Sequence, residues 1–410
     1  MPRTVFALAV AAAMFVAGFS AVSSAEYLTG LSHGMDKRRA EDPPPVADTL
    51  ALRCARNEWE PFQVFVFDDA GLTGVDVNVS AFTGPGDSME TVELYRAAYV
   101  PVTAETISHS PPDVTKIGTW PDGLIPFVDH FVGEVRDGAP FDVAPGFAQA
   151  VWAEVFVPED QAPGTYEATV TVTADGRAPW TGTVTLAVWD FVIPTGISIK
   201  SNYGYSHATV WNFHQAHGGI TARRDLLSMY FREFLRHRMS LYSYLDFMPG
   251  YSWNGAADAF DWDWTEFDAY FGPLWDGTFD EPGARFTGMT LPWPPGGRPG
   301  DVDAGVWERA WWGGWADHFR AKGWLDVPFL YLPDEPNPSE YAYVAELADR
   351  LHAADPDLKA MVTEQFNEEL AGHVDIWDPD EPLFSDSLPW PPYPDVYAER
   401  RAMGEEDVVV

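Results

Sequence analysis

The sequence contains a single cysteine, Cys54, and only five lysines among its 410 residues. One cysteine cannot form an internal disulfide or a cysteine-pair metal site, so the fold must depend on packing. Basic residues are scarce as a class, since 25 Lys and Arg stand against 62 Asp and Glu and give a formal net charge of −37. Because like charges repel, this balance excludes nucleic acid and anionic lipid surfaces as favourable partners.

The acidic residues are scattered along the chain rather than gathered in a tail. Such a surface is typical of proteins adapted to high salt, where screening relieves self-repulsion. An ordinary acidic secreted protein explains the composition equally well, so both interpretations stay open.

Long hydrophobic runs are absent after the N-terminal segment, which excludes membrane insertion of the mature chain. Residues 1–25 carry one positive charge, an apolar run, and Ser23 and Ala25 at the −3 and −1 positions of a cleavage site. They predict a signal peptide, and no cysteine follows the apolar run to take a lipid. We therefore expect a secreted, periplasmic or cell-surface protein.

Two domains are expected after the signal peptide. In residues 26–196 apolar and polar residues alternate with period two, and Asp175-Gly176 supplies a hairpin turn, which predicts an N-terminal β-sandwich. Residues 197–410 alternate strand-like and helix-like segments, which favours a (β/α)₈ TIM-type barrel over a doubly wound sheet. The irregular stretch 247–300 is expected to form a long excursion on the barrel face.

The predicted barrel has about seven strands, at 198–206, 241–247, 285–291, 327–332, 359–366, 374–378 and 407–410. The seventh falls on the last residues, after a predicted helix at 394–404. A barrel needs an eighth strand to close, so the sequence is expected to be C-terminally incomplete near strand 7.

Two adjacent carboxylates, Asp334 and Glu335, follow the apolar segment 327–332 and precede a helix start in which Asn337 is the N-cap and Glu340 completes a capping box. This pattern places the acids in a βα loop, on the barrel face where active sites lie. The alternative is that both acids only complement the positive end of the following helix.

Glycoside hydrolysis commonly uses two carboxylates. Neighbouring Cα atoms lie only about 3.8 Å apart, so two adjacent side chains are poorly placed to reach a glycosidic bond from opposite faces of the sugar. Adjacency better suits substrate assistance, in which the 2-acetamido oxygen of the substrate attacks the anomeric carbon. One acid then protonates the leaving oxygen while the other orients the acetamido N–H.

Six segments carry a family resemblance, namely "ARNEWEPFQVFV", "WPDGLIPF", "VPEDQAPGTYEATVTV", "HRMSLYSY", "LYLPDEP" and "VDIWDP". In this order they resemble glycoside hydrolase family 123 and the related domain of unknown function 4091. The resemblance implies a β-sandwich followed by a (β/α)₈ barrel, and a substrate-assisted β-N-acetylgalactosaminidase activity. It also implies that Asp334 orients the acetamido group and that Glu335 is the acid/base.

Further substrate-binding candidates follow other predicted strands. Aromatic rings pack on the apolar faces of sugars, and amides and acids hold hydroxyls. The predicted substrate-binding residues are Tyr203, Tyr205, His207, Tyr244, Asp246, Glu364 and Trp377, with Asn202, Asn367 and Asp378 as further candidates. Ordinary packing or helix capping is the alternative for each, although Trp377 also matches the family motif.

No cofactor or metal is expected. His214 and His217 lack a glutamate at zincin spacing, and the acidic loops do not fit the EF-hand pattern. The expected partner is a carbohydrate, a 2-acetamido sugar glycan or glycoside. Two alternatives remain open: a non-catalytic carbohydrate-binding or cell-surface protein on the same fold, and a glycosidase without substrate assistance that takes its second acid from Asp246 or Glu364.

Overall fold

The computed structural model of the chain describes residues 27–104, 117–197, 200–201, 203–218 and 220–379, and positions 398 and 402. The predicted signal peptide at 1–25 and the predicted strand at 407–410 lie outside the described residues, as does most of the predicted helix at 394–404. The chain divides into two compact units, one ending at Ile193 and the other beginning at Pro194.

The described residues of the first unit form ten strands. They are β1 (Tyr27–His33), β2 (Thr49–Arg56), β3 (Glu58–Asp68), β4 (Leu72–Val79), β5 (Val92–Val102), β6 (Gly118–Pro126), β7 (Phe141–Val143), β8 (Gln149–Val157), β9 (Gly164–Thr173) and β10 (Trp180–Val192). One five-stranded sheet has the order β1-β3-β8-β5-β6, and the other has the order β2-β10-β9-β4-β7.

The β9–β10 hairpin follows directly from the alternating sequence. Every second residue is buried, including Tyr166, Ala168 and Val170 of β9 and Val184 and Leu186 of β10, while the residues that alternate with them are more exposed. Gly176 takes a φ of 70° in the connecting turn, a conformation that glycine adopts without strain. Buried residues of both sheets form one hydrophobic cluster, the packing expected of a β-sandwich.

The second unit contains five helices and six short strands in its described residues. They are α1 (His207–His217), α2 (Arg223–Arg236), β11 (Gly250–Asn254), β12 (Ala259–Asp263), α3 (Thr265–Asp276), β13 (Met289–Thr290), α4 (Ala304–Lys322), β14 (Pro328–Tyr331), α5 (Tyr341–Ala354), β15 (Lys359–Val362) and β16 (Ile376–Trp377).

Four of these strands form a parallel sheet in chain order, β13-β14-β15-β16. Two further segments extend the series through single contacts: Tyr203 forms a parallel bridge with Leu241, and the N–H of Thr290 donates to the carbonyl of Tyr242 at 2.8 Å. Six of the seven segments predicted as barrel strands are therefore joined by hydrogen bonds in the order of the sequence.

A closed (β/α)₈ barrel is not confirmed, because no sheet within the described ranges closes on itself. The described residues of the first two predicted strands share a single bridge, between Tyr203 and Leu241. Here side chains replace part of the strand ladder, since the buried Ser240 hydroxyl accepts the N–H groups of Thr287 and Gly288.

Residues 247–300 are more regular than the sequence predicts. They contain the β11–β12 hairpin and helix α3, whose C-terminus is capped by Gly277 in the left-handed conformation. Aromatic rings of α3 and α4 pack together in a buried cluster that includes Trp275, Trp311 and Trp315. This core supports the sheet edge where the acidic pair lies.

Candidate active site

Strand β14 positions Asp334 and Glu335. Its residues are buried between β13 and β15, and the chain leaves the sheet at Leu332 and Pro333 to present both carboxylates on the exposed surface. The acids therefore lie at the C-terminal end of a parallel strand, in the loop that leads to α5.

Two hydroxyl groups fix the carboxylate of Asp334. Tyr331 Oη donates to Oδ1 of Asp334 at 2.9 Å, and Thr363 Oγ1 donates to the same oxygen at 2.7 Å. Tyr331 ends β14 and Thr363 directly follows β15, so neighbouring strands hold the carboxylate from two sides. Two hydroxyl donors on one oxygen hold this carboxylate in a fixed orientation.

Glu335 has a φ of 43°, in the left-handed region that residues with a Cβ rarely adopt. Its backbone N–H donates to Thr363 Oγ1 at 2.9 Å, which helps to hold this conformation. Strained backbone of this kind concentrates at sites where a side chain must point in one direction.

Tyr331 is itself held in place by a stacked ring. The rings of Tyr242 and Tyr331 have centroids 5.5 Å apart and an interplanar angle of 17°. Burial, followed by the hydrogen bond to Asp334, raises the pKa of Tyr331 above its usual value. Its hydroxyl therefore stays protonated, and remains a donor to Asp334, throughout the neutral range.

The helix that follows the acids is capped without them. Asn337 and Glu340 form the predicted capping box, in which Glu340 Oε2 accepts the N–H of Asn337 at 2.8 Å. A short 3₁₀ turn, Pro338–Glu340, then leads into α5. Since this box satisfies the helix start, Asp334 and Glu335 are not required as caps.

Glu364 lies next to Thr363 at the end of β15. Tyr341 Oη donates to Glu364 Oε2 at 3.2 Å, which ties this carboxylate to the first residue of α5. Glu364 is thus brought to the same sheet edge as the acidic pair, one strand away.

A second group of predicted residues gathers near the start of the unit. The guanidinium of Arg223 lies 2.6 Å from Nδ1 of His207 and 3.5 Å from Oδ2 of Asp246. The side chain of Asp246 is only 6% exposed. Burial, followed by the charge of Arg223, lowers the pKa of His207, so this imidazole is neutral at pH 7.

The remaining aromatic candidates differ in exposure. Tyr203 is 46% exposed, whereas Tyr205 is buried against Tyr230 and Phe231. Tyr244 is fully buried, accepts the indole N–H of Trp275 at 2.6 Å and donates to the carbonyl of Gly288, so it belongs to the core rather than to an open site.

Trp377 is also buried, at 3% exposure, and packs against Phe366. Its ring faces are taken up by the protein in this arrangement. Asn367 accepts the N–H of Leu370 at 3.0 Å, and the N–H of Asp378 donates to Val362, which gives both residues local structural contacts. Asn202 lies outside the described residues.

The sequence analysis missed the residues that organise the acidic pair, namely Tyr331, Thr363 and Tyr242. A usable signal existed, because Tyr331 and Thr363 stand at the ends of two consecutive apolar segments, and the ends of parallel neighbours meet at one sheet edge. A hydroxyl at a strand end is common in any α/β protein, so this signal alone does not distinguish Tyr331 and Thr363.

The described residues also bear on metal binding and on membrane insertion. Within the described ranges, no group of three or more His, Cys, Asp and Glu residues is arranged to hold a metal ion. None of the helices in the same ranges combines the length and the hydrophobicity needed to cross a bilayer.

No family model matches the sequence, and no curated protein matches it. Among solved structures, the fold is similar to that of a family 123 glycoside hydrolase from Clostridium perfringens, a structure that concerns glycolipid glycan hydrolysis. The TM-score is 0.65 at 12% sequence identity, over 93% of this chain and 71% of that one. This chain shares the fold of a family 123 glycoside hydrolase. The resemblance predicted from the sequence is thereby confirmed at the level of the fold. A sequence identity of 12% does not indicate which substrate this chain acts on.

Two other solved structures cover parts of the chain. A Bacteroides ovatus GH5 xyloglucanase has a TM-score of 0.17 at 11% identity, over 79% of this chain and 55% of that one. A Salmonella SafD adhesin has a TM-score of 0.19 at 13% identity, over 42% and 100%. Neither likeness is close enough to carry an argument.

Proposed function

We propose that this protein is an exported, retaining glycoside hydrolase that cleaves β-linked 2-acetamido sugars with the help of the substrate's own acetamido group. One observation carries the proposal: Asp334 and Glu335 project side by side from the end of β14, with Asp334 fixed by two donors and Glu335 held at a positive φ. The shared family 123 fold supports a glycosidase.

Asp334 is assigned to the acetamido group. Its two described hydrogen bonds both end on Oδ1, so Oδ2 is the oxygen assigned to the substrate N–H. A carboxylate there orients the acetamido oxygen toward the anomeric carbon and stabilises the positive charge that develops as the oxazolinium ring forms.

Glu335 is assigned as the acid/base. It first protonates the leaving glycosidic oxygen and then, as a carboxylate, removes a proton from the water that opens the oxazolinium intermediate. Because the nucleophile comes from the substrate, no protein carboxylate is needed on the opposite face of the sugar, which suits two acids that start from adjacent Cα atoms.

Three finer features belong to the same proposal. The resemblance to family 123 implies a preference for N-acetylgalactosamine and a closed (β/α)₈ arrangement of residues 197–410. The N-terminal segment with Ser23 and Ala25 at its cleavage site implies export.

A glycosidase without substrate assistance would take its second acid from elsewhere. Asp246 is an unfavourable choice because its side chain is buried and paired with Arg223. Glu364 is closer in the fold, since it follows β15 beside Thr363, although both of its oxygens already accept a hydrogen bond, one from Tyr341 and one from the N–H of Gln365. Glu364→Gln therefore belongs in the experiment that follows.

The test is kcat/KM for the wild type, Asp334→Asn, Glu335→Gln and Glu364→Gln on p-nitrophenyl N-acetylgalactosaminide, N-acetylglucosaminide, galactoside and glucoside, and on a 2-acetamido disaccharide. Glu335→Gln should lose about 10²- to 10⁴-fold on the disaccharide and far less on the aryl glycosides, because an activated aryl group departs without proton assistance. Asp334→Asn should lose activity on every 2-acetamido substrate, since the charge that it stabilises forms with any leaving group.

Asp317→Asn is the matched control, since Asp317 is an 85% exposed carboxylate on α4. Equal wild-type activity on sugars that lack the acetamido group would reject substrate assistance, and a large loss in Glu364→Gln would then identify the second acid. Activity unchanged in both Asp334→Asn and Glu335→Gln would leave the acidic pair with only a structural role before α5. Activity absent from the wild type would favour a non-catalytic carbohydrate-binding protein.

A further inference from the structure

A concave pocket of about 420 Å³ lies between α4, α5 and the loop that follows β13. Its size falls within the range of small-molecule sites in proteins. The side chains that line it include Trp293, Arg298, Trp307, Glu308, Tyr343 and Arg350. None of these residues belongs to the network around Asp334 and Glu335.

Two aromatic rings that line this pocket are exposed. Trp293 is 49% exposed and Tyr343 is 55% exposed, whereas Trp307 and Trp311 on the neighbouring helix are almost fully buried. Exposed Trp and Tyr rings present apolar faces with a polar edge, which is the chemistry that binds the C–H face of a pyranose ring.

The loop that carries Trp293 is fixed in place by other indoles. Trp307 Nε1 donates to the carbonyl of Pro295 at 3.1 Å, and Trp311 Nε1 donates to the carbonyl of Pro292 at 2.9 Å. The edge of Trp293 also packs on Trp312 with a centroid distance of 6.1 Å. The exposed face of Trp293 is therefore presented by a preorganised loop, which lowers the entropy lost when a ligand binds.

Polar groups for sugar hydroxyls stand beside these rings. Glu308 Oε1 and a terminal nitrogen of Arg350 lie 3.5 Å apart, longer than the 2.7–2.9 Å of a charge-assisted hydrogen bond. Glu308 Oε2 and Arg350 Nε are buried and have no hydrogen-bond partner among the described residues, while the two side chains as a whole are 20% and 36% exposed. A carboxylate and a guanidinium in this state retain capacity to accept from one hydroxyl and to donate to its neighbour.

We propose that this pocket binds a pyranose residue of a glycan, as a carbohydrate site separate from Asp334 and Glu335. The loop 291–303 leaves β13 at the same sheet edge at which Asp334 follows β14, because the two strands are parallel neighbours. The site extends the proposed function by giving a longer glycan a second point of attachment, but sugar binding there does not require hydrolysis.

The experiment measures binding of methyl glycosides of galactose, glucose and N-acetylgalactosamine by saturation-transfer NMR. The proteins are the wild type, Trp293→Ala, Tyr343→Ala and Asp334→Asn, with Phe213→Ala as the control for loss of an exposed ring, since Phe213 lies on α1 and is 60% exposed. Trp293→Ala and Tyr343→Ala should each weaken binding of at least one sugar about tenfold, because each removes one stacking face. Phe213→Ala should bind it as the wild type does, whereas Asp334→Asn should weaken binding of the N-acetylgalactosaminide alone, because Asp334 is assigned to the acetamido group.

Activity provides the second measurement. In Trp293→Ala the KM should rise for an oligosaccharide substrate and stay unchanged for a p-nitrophenyl monosaccharide, with kcat unchanged on both. The proposed sugar site would be wrong if Trp293→Ala and Tyr343→Ala both bind as the wild type does. It would also be wrong if none of these proteins binds any of the three sugars. Binding lost only in Asp334→Asn would also overturn it and would leave the proposed function intact.

Discussion

Thr363 donates its hydroxyl hydrogen to Oδ1 of Asp334 over 2.7 Å, although the two residues are 29 positions apart in the sequence. The oxygen of the same hydroxyl accepts the backbone N–H of Glu335 at 2.9 Å. One side chain at the end of β15 therefore orients both acids at the end of β14.

Thr363→Val should lower kcat about 10- to 100-fold, because both acids lose a shared anchor and small misplacements are costly in a reacting geometry. Thr363→Ser keeps the hydroxyl and should restore most of the rate. The measurement is kcat and KM on a p-nitrophenyl 2-acetamido sugar. Equal losses in the Val and Ser variants would indicate a packing role for the methyl group instead.

Glu335→Gly should give a more stable protein than Glu335→Ala, by about 0.5–1 kcal/mol in free energy of unfolding. The reason is the φ of 43° at this position, where glycine avoids the steric penalty of a Cβ atom. Glu346, exposed on α5, provides the control pair, because glycine within a helix should be less stable than alanine there. Denaturant titration compares the four variants. If the alanine variant is more stable than the glycine variant at both positions, the backbone at Glu335 is not strained.

Glu60 should make the first unit less stable as the pH rises. Burial, followed by the neighbouring Glu58, raises the pKa of Glu60 from 4.5 to about 7, so the folded state holds a proton that the unfolded chain releases. The stability that this proton provides is present below about pH 4.5 and is lost as the pH rises to about 7.

Glu60→Gln should remove that part of the pH dependence and should exceed the wild type in stability above pH 7. Thermal midpoints from pH 4 to 8 report the difference between the two proteins. Glu159→Gln, which alters an exposed carboxylate of the same unit, should leave the profile unchanged. A Glu60→Gln profile parallel to that of the wild type would contradict the burial argument.

The net charge of −37 should make the fold more stable in salt. Raising NaCl from about 0.05 to 2 M shortens the Debye length from over 10 Å to about 2–3 Å and screens the repulsion between carboxylates. The midpoint of thermal unfolding should rise over this range. A flat or falling midpoint would support an ordinary acidic secreted protein over adaptation to high salt.

Sequence patterns predict local structure well where periodicity is strong. The β9–β10 hairpin, helix α4 and the capping box at Asn337 all follow from short-range rules of alternation, helical repeat and capping. The segments around Tyr203 and Leu241 were predicted as strands, and their described residues share one bridge. Next to Leu241, the hydroxyl of Ser240 accepts the backbone N–H groups of Thr287 and Gly288. Hydrogen bonds of this kind join residues that are far apart in the sequence, so they leave no periodic pattern of apolar residues.

The candidate site shows the same division. The loop position of Asp334 and Glu335 follows from an apolar strand on one side and a helix cap on the other. Thr363 could not be assigned to them, because its role depends on the register between β14 and β15. Tyr244 and Trp377 were predicted to bind substrate but are buried. An aromatic residue near a strand end has the same sequence pattern whether its ring faces the core or solvent.

The tryptophans of the protein are distributed unevenly, since 13 of the 18 follow Ile193. Every tryptophan found buried within the described residues belongs to this second unit, including Trp275, Trp311 and Trp315 with their close ring contacts. Buried indoles emit at shorter wavelength than solvated ones, and coupled rings give strong near-ultraviolet circular dichroism. Since the first unit has no buried tryptophan among its described residues, these two signals will mainly follow the unfolding of the second unit.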